Sequence, residues 1–163
     1  MTEPSLPAVV TPDDFPVLRR HPTRWGDNDV YGHVNNVVYY SLFDTAVNGW
    51  LIDACASDIR TLPAIGVVAE TSCRYLRETS FPDVLHIGIG LERRGRTSVV
   101  YRLAVFRERS DGQIDDEPHA LGRFVHVYVD SKVRKPVPIP EPIATALATL
   151  ALKPPGEPAT ANS

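Results

Sequence analysis

Along the 163 residues the spacing of apolar positions changes character twice. Residues 1–14 show no period and carry prolines at 4, 7 and 12, which predicts a loose arm. Phe15 to Trp25 reads as a first strand, with Pro16 and Pro22 marking an edge position or an irregular end. Residues 24–36, Arg-Trp-Gly-Asp-Asn-Asp-Val-Tyr-Gly-His-Val-Asn-Asn, are dense in turn formers and polar groups. Val37 to Cys55 then takes up a helical period. Ser41, Asp44, Thr45 and Asn48 share one face, while Val38, Tyr40, Leu42, Phe43, Ala46, Val47, Trp50, Leu51 and Ala54 fill the rest. A helix apolar over most of its circumference belongs in a core, wrapped on several sides. At about 19 residues it approaches membrane-span length, but the polar face and Asp53 argue against a span. Asn35 or Asn36 caps its start.

From Gly66 onward the period drops to that of strands. Val67–Glu78, Val84–Arg93, Ser98–Arg107 and His119–Asp130 are the predicted runs. Between them lie a turn at Thr79–Asp83, a hairpin turn at Arg94-Gly95-Arg96-Thr97 with Gly95 free to take positive φ, and an acidic loop over Ser110–Pro118. Ile87, Ile89 and Leu91 alternate with His86, Gly88 and Gly90, giving one bulky face and one nearly bare face. In the last run Leu121, Val125, Val127 and Val129 face one way and Phe124, His126 and Tyr128 the other. The aromatic face and the bare glycines are expected to be sheet surface covered by something else. Residues 141–152 are expected to form a short amphipathic helix with Ile143, Leu147 and Leu150 on one stripe, and 153–163 a disordered tail. One segregated helix followed by consecutive strands means an α+β fold, an antiparallel sheet wrapped around one long central helix, in a single domain over residues 15–152.

Composition adds bounds. With 43% apolar and 23% charged residues the chain is an ordinary globular one. A net charge of −3 gives no electrostatic case for nucleic acid as a partner. Met1-Thr2-Glu3-Pro4 lacks the basic and apolar stretches of a signal peptide, so the expected location is cytoplasmic, with no membrane partner. Cys55 and Cys73 read as small apolar residues within a helix and a strand, not as a disulfide or metal pair.

The polar loop is where chemistry is concentrated. Gly26-Asp27-Asn28-Asp29 has the composition of an ordinary turn. Asp27, Asp29 and Gly32 also match positions 1, 3 and 6 of a calcium loop, but Tyr31 and Val38 stand at positions 5 and 12, which excludes it. Asp27, Asp29 and His33 offer a transition metal one imidazole and no second His or Cys, so no metal is expected. Acyl transfer to water uses all the parts. It needs a carboxylate to attack the carbonyl or activate water, and donors for the oxyanion, which the unpaired amides at a helix start supply.

The loop, with Tyr39 and Phe43-Asp44-Thr45-Ala46 behind it, resembles the hotdog-fold acyl-CoA thioesterases of the 4-hydroxybenzoyl-CoA thioesterase type. The resemblance continues through Phe81-Pro82-Asp83-Val84-Leu85 and Glu92-Arg93-Arg94-Gly95-Arg96-Thr97-Ser98, over roughly residues 15–130. It implies that Asp29 is the catalytic carboxylate and that the backbone N–H of Asn36 polarises the thioester carbonyl. It also implies that Arg93, Arg94 and Arg96 bind the nucleotide phosphates of CoA. Some relatives have an apolar residue where this chain has His33, so His33 is read as part of the catalytic group that either orients the loop or supports the reacting residues from behind. The family pairs two sheets edge to edge, which implies a homodimer or a dimer of dimers. Coenzyme A would enter as part of the substrate, with no separate cofactor.

Weaker candidates surround these. Asp44 projects from the polar face of the helix, either as a hydrogen bond back to the loop or as part of the site. Arg123 interrupts an apolar strand face as an ion pair or a ligand contact. Trp25, Tyr31 and Tyr39 are candidates to line an acyl pocket or to pack in the core. Two rival functions remain open, a non-catalytic acyl-CoA-binding module and a hydratase or dehydratase on the same fold. Asp29 favours the hydrolase over the binding module, and no pairing of His with an acid typical of the hydratases is found.

Overall fold

The structure, a computed structural model, describes residues 10–150. Five strands form one sheet: β1 (Val17–Pro22), β2 (Ala64–Tyr75), β3 (Val84–Arg94), β4 (Ser98–Arg107) and β5 (Ala120–Asp130). Their order is β1-β3-β4-β5-β2, with every neighbouring pair antiparallel. The long helix α1 (Asn36–Cys55) lies across one face, and α2 (Glu141–Leu147) packs beside its C-terminal end. Asn35 is the cap, its side chain accepting the Val37 N–H at 3.1 Å.

The core forms where α1 meets the inner face of the sheet. Phe43, Val47 and Leu51 of α1 meet Ile87, Ile89, Leu103 and Val105, and each such side chain contributes about 1.5–3 kcal/mol through burial. Close approach is made possible at Gly122, where a Cβ would fall 2.5 Å from Phe43 Cε2. The polar stripe behaves as expected, with Ser41, Asp44 and Thr45 exposed and Asn48 half-buried. Ile143, Leu147 and Leu150 are buried, as their stripe predicts.

Five expectations change. The first strand is shorter, since Pro16 precedes it and Pro22 ends it, and Trp25–Asp27 is a 3-10 turn. Phe124 and Tyr128 face the chain's own helix core, so that face is covered within the protomer. On the opposite face Phe15 covers Gly88, where a Cβ would fall 2.7 Å from the Phe15 ring, and Val10, Ala104 and Phe106 complete a small second core. Positive φ occurs at Gly32 and Gly112 and not at Gly95. Residues 1–9 of the expected arm and the expected tail at 153–163 lie outside the described residues, while Pro12–Asp14 form a 3-10 turn.

Along its other edge β2 pairs with no strand among the described residues, and Val68, Tyr75 and Leu76 are exposed there. Cys55 and Cys73 are half-buried free thiols, each pushed above the usual thiol range by burial. Among the described residues no helix is long and apolar enough to cross a membrane.

Candidate active site

Residues 28–34 form a small loop closed at its base by a bridge between Asn28 and Val34, directly before the start of α1. The loop is pinned to the segment after β2. Val34 donates its N–H to the Thr79 carbonyl at 2.8 Å, and the Asn28 side chain accepts the Phe81 N–H at 3.0 Å. At its tip Gly32 takes φ +84°, which closes a turn in which its N–H reaches the Asp29 carbonyl at 3.1 Å.

The two loop aspartates are used differently. Asp27 is 3% exposed and both its oxygens go to Arg24: Oδ2 accepts the backbone N–H at 2.7 Å, and Oδ1 accepts Nη2 at 3.0 Å. Asp29 is half-buried, and its Oδ1 accepts the Tyr31 N–H at 2.9 Å and, more weakly, the His33 N–H at 3.4 Å. Its Oδ2 has no hydrogen-bond partner among the described residues. A few residues on, the Asn35 side chain takes the Val37 N–H and leaves the Asn36 N–H with no acceptor among the described residues.

Beside the helix start lies a cleft of about 200 Å³, lined by His33, Val34, Asn36, Tyr39, Tyr75, Leu76, Arg77, Glu78 and Thr79. His33 Nε2 is 2.9 Å from the Glu78 carboxylate across it. Tyr75 donates its hydroxyl to the Asn36 carbonyl at 2.9 Å, and its ring meets Tyr39 edge-on at 5.1 Å. Thus Asn36, His33 and Tyr39 share the cleft, whereas Asp29 belongs to the loop at its side. Tyr31 is 82% exposed, and Trp25, 80% exposed, rests on Phe81.

Arg93, Arg94 and Arg96 are exposed at the β3–β4 hairpin. That hairpin is level with Val127 of β5, whereas Tyr75 at the cleft is level with Ala120. Seven residues of strand, about 23 Å, separate the two levels within one protomer. Arg123 pairs with Glu70 at 3.1 Å and Glu92 at 3.2 Å, and Asp44 accepts from Asn48 on its own helix. Both therefore have partners away from the cleft. Among the described residues no group of three or more His, Cys, Asp or Glu side chains is placed to hold a metal.

The sequence profile of the thioesterase-like superfamily matches residues 23–147, which spans the loop, α1 and every strand after β1. The chain belongs to that superfamily. Its architecture is the hotdog fold, shared with solved thioesterase structures. The PA5185 protein of Pseudomonas aeruginosa is 43% identical with a TM-score of 0.80, the match covering 87% of this chain and 96% of that one. A thioesterase of Thermus thermophilus, solved with coenzyme A and zinc, is 28% identical with a TM-score of 0.69, over 87% of this chain and 98% of that one. A 4-hydroxybenzoyl-CoA thioesterase mutant in complex with 4-hydroxybenzoyl-CoA shares the fold at 17% identity and a TM-score of 0.69, over 80% and 97% of the two chains. No curated protein matches the chain.

Tyr75, Glu78 and Thr79 in the cleft carry no signal in the sequence. They read as the end of a strand and a turn, and only the hydrogen bonds between the loop and the segment after β2 bring them to the helix start.

Proposed function

We propose that this member of the thioesterase-like superfamily hydrolyses acyl-CoA thioesters to a free acid and CoA, with Asp29 as the catalytic carboxylate. One observation carries the reading. Of two carboxylates two residues apart, Asp27 is fully engaged by Arg24, while Asp29 keeps one oxygen without a partner, seven residues ahead of a helix-start amide that has no acceptor among the described residues. A carboxylate with a free oxygen and a donor for an oxyanion are the two elements that thioester hydrolysis requires.

In this reading the thioester carbonyl oxygen accepts the Asn36 N–H, which stabilises negative charge as the tetrahedral species forms. His33 holds the loop, its backbone N–H on Asp29 and its ring against Glu78. Either Asp29 takes a proton from a water that attacks the carbonyl carbon, or its Oδ2 attacks directly and the resulting anhydride is hydrolysed. Collapse breaks the C–S bond and releases the CoA thiolate. The exposure of Val30, Tyr31 and Gly32 gives water easy access and favours the first route. One turnover in ¹⁸O-water separates them, because direct attack followed by hydrolysis of the anhydride at the Asp29 carbonyl leaves label on Asp29, and the water route labels the product acid and leaves Asp29 unlabelled.

The arginine hairpin is the proposed site for the CoA nucleotide phosphates, since guanidinium forks suit phosphate oxygens. Because about 23 Å of strand separates it from the cleft within one protomer, it is assigned to a neighbouring subunit's cleft. The free β2 edge is the proposed seam of that homodimer or dimer of dimers, because the unpaired backbone groups of a strand edge are a template for another strand. A cytoplasmic location agrees with two cysteines kept as thiols.

The rival reading, a module that binds acyl-CoA without cleaving it, has no use for the open oxygen of Asp29. A chromogenic thiol assay against a panel of acyl-CoA thioesters decides between them. Thiol release with turnover is expected, and calorimetric binding without release would favour the module.

A further inference from the structure

Asp29 is held from two directions, and the second begins outside the loop. Its Oδ1 accepts the Tyr31 N–H at 2.9 Å and, as a longer contact, the His33 N–H at 3.4 Å. The His33 N–H belongs to the Gly32–His33 peptide group, whose other end is the Gly32 carbonyl. That carbonyl accepts the Ser80 hydroxyl at 2.6 Å, and among the described residues it has no other partner. One planar peptide unit therefore stands between the Ser80 hydroxyl and the Asp29 carboxylate.

Ser80 is itself fixed. Its N–H donates to Asp83 Oδ2 at 3.0 Å and its carbonyl accepts the Asp83 N–H at 2.8 Å, closing the turn before β3. That turn is tied to the end of β1, since the Asp83 carbonyl accepts the Thr23 N–H at 3.1 Å. A serine hydroxyl has one hydrogen to give. Distance favours Gly32, because the Phe81 carbonyl, the other acceptor in reach, is 3.4 Å away. Asn28 approaches Ser80 Oγ through Nδ2 at 3.4 Å, while its Oδ1 takes the Phe81 N–H at 3.0 Å. The base and the tip of the loop thus converge on one turn.

We infer, on the thioesterase reading proposed above, that Ser80 is a positioning residue for the hydrolysis, acting on Asp29 through the Gly32–His33 peptide. A hydrogen bond accepted at the carbonyl polarises the peptide and strengthens its N–H as a donor. It also keeps that N–H aimed at Oδ1, so that Oδ2 is the oxygen left for the reaction. Where Ser80 lacks its hydroxyl, water can take its place on the half-exposed loop, so little stability is lost. Water does not fix direction. The loss therefore falls on the placement of the carboxylate, and hence on kcat.

Ser80→Ala, Ser80→Cys and Ser80→Thr are compared with the wild type in the full chain. Cysteine nearly keeps the size of serine but is a weak donor, and threonine keeps the hydroxyl. With the best acyl-CoA of a panel, kcat is expected to fall about tenfold or more in Ser80→Ala and Ser80→Cys, with KM within about threefold of the wild type. The midpoint of thermal unfolding is expected to move by about 4 °C or less. Either variant reports if the other does not fold. Ser80→Thr is expected to recover most of kcat. ¹⁵N–¹H spectra read the contact without turnover. The His33 amide proton is expected to move upfield in Ser80→Ala and Ser80→Cys, and to return in Ser80→Thr. A raised KM at unchanged kcat, a Ser80→Thr no faster than Ser80→Ala, or an unmoved His33 amide overturns the assignment. If the wild type turns over no acyl-CoA, the thioesterase reading fails, and the His33 amide still decides whether Ser80 holds the loop.

Discussion

The hydroxyls of Tyr39 and Thr79 lie 2.6 Å apart beneath the cleft, joining α1 to the segment that follows β2. Thr79 is 2% exposed, and burial is the leading cause that pushes the Tyr39 phenol above its usual range. Tyr39→Phe leaves the Thr79 hydroxyl short of this partner in the interior. The expected loss of stability is about 1–2 kcal/mol by urea denaturation. Turnover should fall no more than a few-fold, roughly, because neither hydroxyl is asked to do chemistry. A loss of kcat as deep as that of Asp29→Asn would instead place Tyr39 in the reaction.

Gly32 supplies the turn that presents Asp29. At φ +84° nothing lies within 4 Å of an added Cβ, so the obstacle to a side chain is the backbone conformation and not space. Gly32→Ala is expected to cost about 1–2 kcal/mol by thermal unfolding. It should also lower kcat, because the cheapest relief is a rearranged loop that carries the carboxylate with it. Unchanged stability and unchanged kcat together would mean that the loop tolerates another turn.

How much of this was legible in the sequence depends on the distance over which each feature is determined. The helix is local: its period, its polar stripe of Ser41, Asp44, Thr45 and Asn48 and its Asn35 cap all lie within one segment. The loop-to-helix junction that carries Asp29 and Asn36 is local in the same way, while the roles given to the two residues come from the resemblance to the family. Thr79 and Tyr75 are not, because they reach the cleft only through the pairing of β2 with β5 and the anchoring of the loop. The aromatic face of β5 misled because alternation tells that two faces differ without telling which of them meets the helix. The bare face of β3 misled because Phe15, whose ring fills the space over Gly88, lies far away in the sequence.

His126 makes stability depend on pH. Burial lowers its folded pKa from 6.5 to about 4, so between those values the unfolded chain binds a proton that the folded chain refuses. Stability from this group is fully present above pH 6.5 and is lost as pH falls towards 4. The whole effect is on the order of 3 kcal/mol. Urea denaturation at steps between pH 7 and 4 should show a steeper decline for the wild type than for His126→Phe. Parallel curves would mean that His126 is protonated in the folded state across this range.

The arginine hairpin is tested by kinetics. Replacing two of Arg93, Arg94 and Arg96 with Ala is expected to raise KM for acyl-CoA about tenfold at low ionic strength while kcat changes little. The difference should shrink at high salt, because screening already weakens the wild-type contacts. An unchanged KM at low ionic strength would place the nucleotide phosphates elsewhere.

The most direct test of the account compares Asp29→Asn with Asp27→Asn in the thiol-release assay, using the best acyl-CoA of the panel. Asp29→Asn preserves the shape of the side chain and removes its charge, so the thioester should still bind while kcat falls on the order of 10²–10⁴-fold. Asp27→Asn weakens the contacts with Arg24 and should lower stability while keeping kcat within about tenfold of the wild type. Wild-type turnover in Asp29→Asn, or the deep loss of kcat in a folded Asp27→Asn instead, would contradict the assignment of Asp29 as the catalytic carboxylate.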